Sequence, residues 1–431
     1  MKLLRYFFII SSISIFATNN SFAQNIDPIK SKFFLKNYQA PDFKQHRLLL
    51  DLKMSGNGYE GMNSFNENSK INYFFYSNSR KYQGNFRLGL NSNFTRTKNE
   101  FGPRYTGLFN LSNTTTNRFY IKENLFIGVH NRIGANLKLA DSFNEANNGA
   151  IGIVVSPVVS IGLGRLESIK YARNAMDIEN ALTKSGRLNE PFTTQELNEI
   201  ANEIAILKNQ RVYDSRLQRI AQLEMLDKKL SEMGRISDFD MTYFANLSDA
   251  YLYAGIFKRY SGTRHEFGFI ENVLYLHDNI SEDNNYNSSK IFYNFTFYNP
   301  ISYTLQQNFN VTILAGSSTF NNDPLVENNN FGIANVSYAF EIYPTTRTNF
   351  GFRTNLGLSV RNQIGASANI GMYGNYYISP KMRFSYNIGV NYNDGYYVTF
   401  NNNYILPNVT HSINTNGFSI DGNAKFSYAI F

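Results

Sequence analysis

From Arg347 to Arg361 the chain alternates without a break. Thr348, Phe350, Phe352, Thr354, Leu356, Leu358 and Val360 fall on one side, and Arg347, Asn349, Gly351, Arg353, Asn355, Gly357, Ser359 and Arg361 on the other. The same period of two runs through Met382 to Asn393, through Phe86, Leu88, Leu90 and Phe94, and through Tyr303, Leu305, Phe309, Val311 and Ile313. Sustained over ten or more residues, it describes strands with one apolar and one polar face, longer than the usual five or six residues. Fourteen such strands fit, near residues 45–56, 68–78, 81–95, 116–129, 132–142, 149–163, 262–277, 289–299, 302–318, 329–342, 346–361, 365–378, 381–394 and 412–431. Twelve to sixteen satisfy the pattern, because 97–145 is its least regular part. Short turns at Ser77-Asn78-Ser79, His130-Asn131, Tyr298-Asn299-Pro300, Tyr343-Pro344-Thr345 and Ser379-Pro380 follow even-numbered strands. Longer polar links, Lys98 to Thr115, Ser281 to Ser288 and Gly395 to His411, follow odd-numbered ones.

One segment has a different period. The seventy residues from Arg165 to Gly234 hold eleven Lys/Arg and eleven Asp/Glu but only three aromatics. Leu166, Ile169, Ala172, Met176, Ile178 and Leu182 fit one helical face. Thr193 and Glu196 have the spacing of a capping box before Leu197, Ile200, Ile204 and Leu207. Leu217, Ile220, Leu223, Leu226, Leu230 and Met233 carry the stripe to a stop at Gly234, and Ser237 and Asp240 open a further short helix with Met241, Phe244, Leu247 and Tyr251. The expectation is a unit of two or three helices plus a short one, inserted after six strands, with most of its charges on a solvated surface.

Composition narrows the class. The 431 residues include Phe 37 and Tyr 30 beside Trp 0 and Cys 0, with only 17% charged. Without cysteine there is no disulfide scaffold, Cys-ligated metal or thiol nucleophile, and the five scattered histidines offer no metal-ligand spacing. The net charge is +8, or +6 without Lys2 and Arg5 (8 − 2), too mild and dispersed for a nucleic-acid binder. Lys2 and Arg5, the apolar run Leu3 to Phe16 and Ser21-Phe22-Ala23 read as a secretory signal peptide, 1–23. The remaining expected divisions are a periplasmic N-terminal segment at 24–44, strands 1–6 at 45–163, the helical insert at 164–260 and strands 7–14 at 261–431.

Long alternating strands, a signal peptide and abundant Tyr and Phe resemble the outer-membrane β-barrels of Gram-negative bacteria. With the charged insert and the Ser-Phe-Ala-Gln cleavage site in an Asn-rich chain, the resemblance is to the Bacteroidota type. It implies an all-β transmembrane barrel of about 14 antiparallel strands with a periplasmic α-helical insert. The apolar faces would lie in outer-membrane lipid and lipopolysaccharide. Closure follows from backbone chemistry, since hydrocarbon leaves a sheet edge unpaired. Phe431 supplies a terminal aromatic, but the apolar set Ala424, Phe426, Tyr428 and Ile430 stands one residue out of step with it.

Two functions fit such a chain. The first is a porin-like channel for small solutes. Arg47, Lys53, Arg87, Lys138, Arg347, Arg353, Arg361, Arg383 and Lys425 would face the lumen against Asp51, Glu341 and Asp421, an excess that favours anions. Arg87, Lys138, Arg347, Arg353, Arg361 and Arg383 are the candidate lining residues. The second is an envelope assembly or export scaffold whose insert, 165–234, docks a periplasmic partner through Leu197, Ile200, Ile204, Leu217 and Leu223. An outer-membrane hydrolase is a remote third, resting on the dipeptide His277-Asp278. No P-loop, G-x-S-x-G or HExxH motif is present, and no catalytic residue, metal or cofactor is expected.

Overall fold

The computed structural model describes residues 34–59, 62–99, 102–141, 149–209, 215–253, 256–278, 284–320, 329–360, 364–379, 382–394, 398–400, 409–411 and 417–428. Among them, fourteen strands form one antiparallel sheet in which each strand pairs with its sequence neighbours. They are β1 Phe43–Tyr59, β2 Met62–Asn78, β3 Tyr82–Asn99, β4 Gly102–Tyr120, β5 Leu125–Asp141, β6 Ala150–Ser168, β7 Tyr260–Asp278, β8 Asn284–Pro300, β9 Leu305–Phe320, β10 Asn329–Ile342, β11 Thr348–Val360, β12 Ile364–Ser379, β13 Met382–Asp394 and β16 Gly417–Tyr428. The small hairpin β14 Val398–Phe400 with β15 Val409–His411 lies between the last two. This up-and-down order is that of an all-β barrel, although β1 and β16 are paired on one side only among the described residues.

Alternation assigns the two faces. Leu50 is 71% exposed, Ile161 53%, Phe267 54% and Ile388 57%, whereas Ser160 and Glu266, one position along from Ile161 and Phe267, are buried. No internal core explains the exposed apolar side chains that stand outward on nearly all strands of the sheet; a lipid surround does. Curvature follows from a single contact. Arg118 of β4 and Glu266 of β7 are three strand spacings apart, about 14 Å on a flat sheet, yet their side chains meet at 2.9 Å. The polar face is therefore concave.

The strand count matches the expectation; two strands lie elsewhere. Residues 102–115, expected as a loop, form the first part of β4, and Asn99 of β3 pairs with Gly102. The next turn falls at 121–124 rather than at His130-Asn131, which pair with Val158 and Pro157 inside β5. Asn113, Thr115 and Asn117 share the outward face with Leu111 and Phe119, so this strand is polar on both sides and its alternation is masked.

Between β6 and β7 stand four helices, α1 Lys170–Lys184, α2 Thr194–Asn209, α3 Ser215–Glu232 and α4 Met241–Leu252. Local chemistry sets their ends. Thr193 accepts the Glu196 amide at 3.2 Å while Glu196 accepts the Thr193 amide at 2.7 Å, a reciprocal capping box. Asp240 caps α4 through the Tyr243 amide at 2.9 Å. Gly186 and Gly234, both at φ +68°, terminate α1 and α3. The linkers around them pair with each other, Asn189 N–H donating to Arg235 O at 2.9 Å.

The outward face can be tested in a chain that has no cysteine. Single cysteines at Ile161, Phe267 or Ile388 should resist aqueous maleimide in vesicles and accept a lipid-soluble probe, while cysteines at Lys53 or Asn391 should do the reverse. Equal aqueous labelling at all five would refute the facing.

Candidate functional site

The insert sits across one end of the sheet. Its two ends are hydrogen-bonded to each other, Ile169 N–H to Arg259 O at 3.0 Å. From that base its contacts run both ways around the rim. On one side Phe43, Tyr76 and the N-terminal residues Phe34, Leu35 and Tyr38 belong to the insert's apolar core. On the other side Tyr303, between β8 and β9, joins the same core, and Phe257 stacks edge-on against Tyr343 and Tyr377 at 5.7 and 5.5 Å. The helices therefore bridge strands on both sides of their own origin.

Buried polar groups fix the bridge. Fully buried Arg259 donates to Gln306 Oε1 at 2.9 Å and to the carbonyls of Ser302, Tyr303 and Leu305. Burial lowers its pKa to about 10, so it stays charged at neutral pH. Arg173 of α1 donates to Thr345 O at 2.8 Å and lies over the Tyr343 ring at 5.0 Å. Asp177, whose carboxyl burial pushes upward, accepts from Tyr303 Oη and from Asn174 at 3.1 Å. Arg347 pairs with Asp249 of α4. Glu341 accepts from Asn308 and Tyr343, each at 2.8 Å, and from Tyr373. Arg259, Asp177 and Glu341, taken from water, each meet several donors or acceptors, the condition for tolerating a buried charge.

Deeper along the concave face lies a second polar layer centred on Glu266. It accepts from Arg118 Nη2 at 2.9 Å, His130 Nε2 at 2.7 Å and Ser160 Oγ at 2.7 Å. His130 Nδ1 accepts the Asn117 amide at 3.2 Å. The ring is therefore the neutral Nε2–H tautomer, donating to the carboxylate. Ser160 also donates to that carboxylate, so this trio lacks the hydroxyl-to-imidazole transfer geometry of a nucleophile and its base. Gly128 makes room, because a Cβ there would lie 2.1 Å from Ser160 Oγ and 2.6 Å from His130 Nε2. Alongside, Asn294 donates to Thr312, Thr312 to Asn310, Asn310 to Thr296 and Thr296 back to Asn294, at 2.8 to 3.2 Å. The four-membered ring ties β8 to β9, and bonds running in one sense reinforce one another. Next comes an apolar belt of one inward residue from each of five consecutive strands: Val158, Ile270, Phe292, Leu314 and Ile333.

The sequence-derived candidates distribute unevenly. Arg87, Arg353 and Arg383 stand on the concave face, over the rings of Phe74, Tyr373 and Tyr377 at 5.8, 5.2 and 5.9 Å. Lys138 pairs in register with Leu108 and Ala150 on the same face and is exposed. Arg347 requires correction: it precedes β11 and ties the rim to α4 instead of lining a strand wall. Arg361 falls outside the described residues. The proposed docking face requires correction too. Leu197, Ile200 and Ile204 are fully buried in the insert's own core and Leu223 packs against it, because four short helices need that stripe to hold together. Of Leu217 only the helical backbone is described. The insert's charges are also less solvated than expected, with Arg173, Asp177 and Glu179 buried. Arg118, His130, Arg264 and Glu266 were missed; Arg264 and Glu266 share the inward parity of a correctly placed strand, whereas the misplaced turn hid His130.

No family model matches the chain. Nor does any curated protein match it in sequence. Among solved structures the chain is similar to the CymD monoaromatic hydrocarbon channel, with 7% identity and a TM-score of 0.29 over 87% of this chain and 90% of that one. The fold assignment rests on the strand pairing itself.

Glu266 is the strongest single test of the inner layer. Glu266→Gln should leave Arg118 charged in a buried site and cost about 3–5 kcal/mol, whereas Ser160→Ala should cost about 1 kcal/mol. Denaturant midpoints of the heat-modifiable folded band on a gel measure both. Equal losses would mean that the carboxylate is not the hub.

Proposed function

We propose that the chain is an outer-membrane transport channel for small solutes, selective for anions, whose helical insert is a periplasmic cap on the pore. In this reading the segment ending at Ala23 is a cleaved signal peptide, the envelope is Gram-negative and Bacteroidota-like, and the apolar faces lie in lipid and lipopolysaccharide. The observation that carries it is the seating of the insert: it is anchored on β1 and β2 on one side, and on the other Arg173 of α1 reaches the β10–β11 turn and Phe257, after α4, reaches β12. A unit needed only as a long turn has no reason to cross the mouth. Behind the cap, the apolar belt would oppose water and ions until the wall relaxes.

Charge supports anions over cations. Arg87, Arg353 and Arg383 rest on aromatic rings and belong to no ion pair among the described residues, so their charge stays available to the lumen. A second reading, the envelope scaffold, draws on different residues from those first considered. Phe239, Met241 and Phe244, around the start of α4, are exposed, Met241 at 85%.

Planar-bilayer recording separates the two. The intact protein should conduct little, and replacing 170–252 by a short Gly-Ser turn should produce anion-selective steps. Adding Arg353→Glu and Arg383→Glu should move the reversal potential toward cations. A folded, inserted deletion variant that stays silent would defeat the channel reading and leave the scaffold. Arg347→Ala, which releases the cap at its exposed edge, should raise the open probability without changing the selectivity of the deletion variant.

A further inference from the structure

Arg264 is the one member of the inner layer whose bonding is incomplete. It stands on the concave face of β7, two residues before Glu266, with its side chain 10% exposed. Its Nε lies 3.8 Å from Glu266 Oε2, beyond hydrogen-bonding distance, and is buried with no acceptor. Among the described residues nothing accepts a hydrogen bond from this guanidinium. Glu266 cannot serve it further, since its oxygens already accept from Arg118, His130 and Ser160.

The charge count shows what is missing. Arg118 and Arg264 contribute two positive charges, Glu266 one negative, and His130 none, because its Nδ1 accepts a backbone amide. One buried positive charge is left over, which a protein interior does not tolerate without a counterion. Arg264 pairs in register with Gly164 of β6 and Thr296 of β8, so its β6 neighbour has no side chain and its β8 neighbour ends in a hydroxyl. Tyr120 and Tyr298 lie within reach of its charge.

We propose that Arg264, with Arg118 beside it, is a binding site for a small oxyanion on the inner wall of the barrel, between the capped mouth and the apolar belt. The planar fork of a guanidinium matches the paired oxygens of a carboxylate or a phosphate. The site rests on the channel reading for its role as a station on the solute path, but not for its existence: binding can be read without conductance.

The test uses the full-length protein in detergent, with inorganic phosphate as the probe and chloride of equal ionic strength as the control. Phosphate should raise the temperature at which the heat-modifiable form unfolds, saturably, and beyond any chloride effect. Arg264→Gln removes the surplus charge, so it should fold at least as stably in anion-poor buffer and lose the phosphate shift. Arg264→Lys keeps the charge and loses the fork, and should weaken phosphate by about tenfold. The proposal is overturned if the wild type shows no phosphate-specific shift, or if Arg264→Gln keeps it. Should Arg264→Gln fail to fold, Arg264→Lys with undiminished phosphate affinity overturns it equally. A silent pore in bilayers together with an intact phosphate shift would remove the transport reading and leave the site.

Discussion

A peptide group in hydrocarbon has no partner except another peptide group. Every strand of this protein that faces lipid must therefore spend its N–H and C=O groups on its neighbours, and the up-and-down ladder from β1 to β16 does so with each strand beside its sequence neighbours. The same constraint divides the side chains. Most of those pointing outward are apolar because lipid will not solvate polar groups, which leaves the concave face to carry nearly all the polar chemistry. The inner wall is consequently dense with Asn, Thr, Ser, Arg and Glu, and these groups bond to one another where curvature brings them together.

Curvature also decides which charges are bearable. Glu266 is reached by arginine, histidine and serine side chains from three other strands only because the wall bends inward. Arg259, at the base of the insert, is satisfied by a turn whose carbonyls converge on it. In both places a single ionised side chain collects partners from distant parts of the sequence. These points resist sliding of one strand on another better than any apolar contact, because a shift of one residue would turn a buried charge outward into lipid.

Much of this was legible from residue order, and the limits have physical causes. Period-two alternation located most strands, since apolar and polar faces differ wherever lipid is on one side. It failed at β4, where Asn113, Thr115 and Asn117 take outward positions and blur the contrast. The helical insert announced itself by charge density and by the Thr193–Glu196 box, whose two bonds form as its spacing requires. What the stripe through Leu197, Ile200 and Ile204 would cover was not legible, because a core and a docking face follow the same period. The Glu266 cluster was invisible for a different reason: partners three strands apart are chosen by the bend of the sheet, which no local pattern encodes.

The position of the insert has a consequence for assembly. Its helices are made when only six of the fourteen strands exist, yet its anchors include Thr345, 172 residues beyond Arg173, and Asn202 is bonded to Tyr38 from the far N-terminal side, 164 residues before it. Contacts of such long range close late, after the loop entropy of the whole wall has been surmounted. The cap can be seated only on a rim whose two arcs have both arrived, so a barrel that has misplaced a strand would carry an unseated, exposed bundle with its apolar underside showing. The seated insert is thus a physical record that the wall was completed in register.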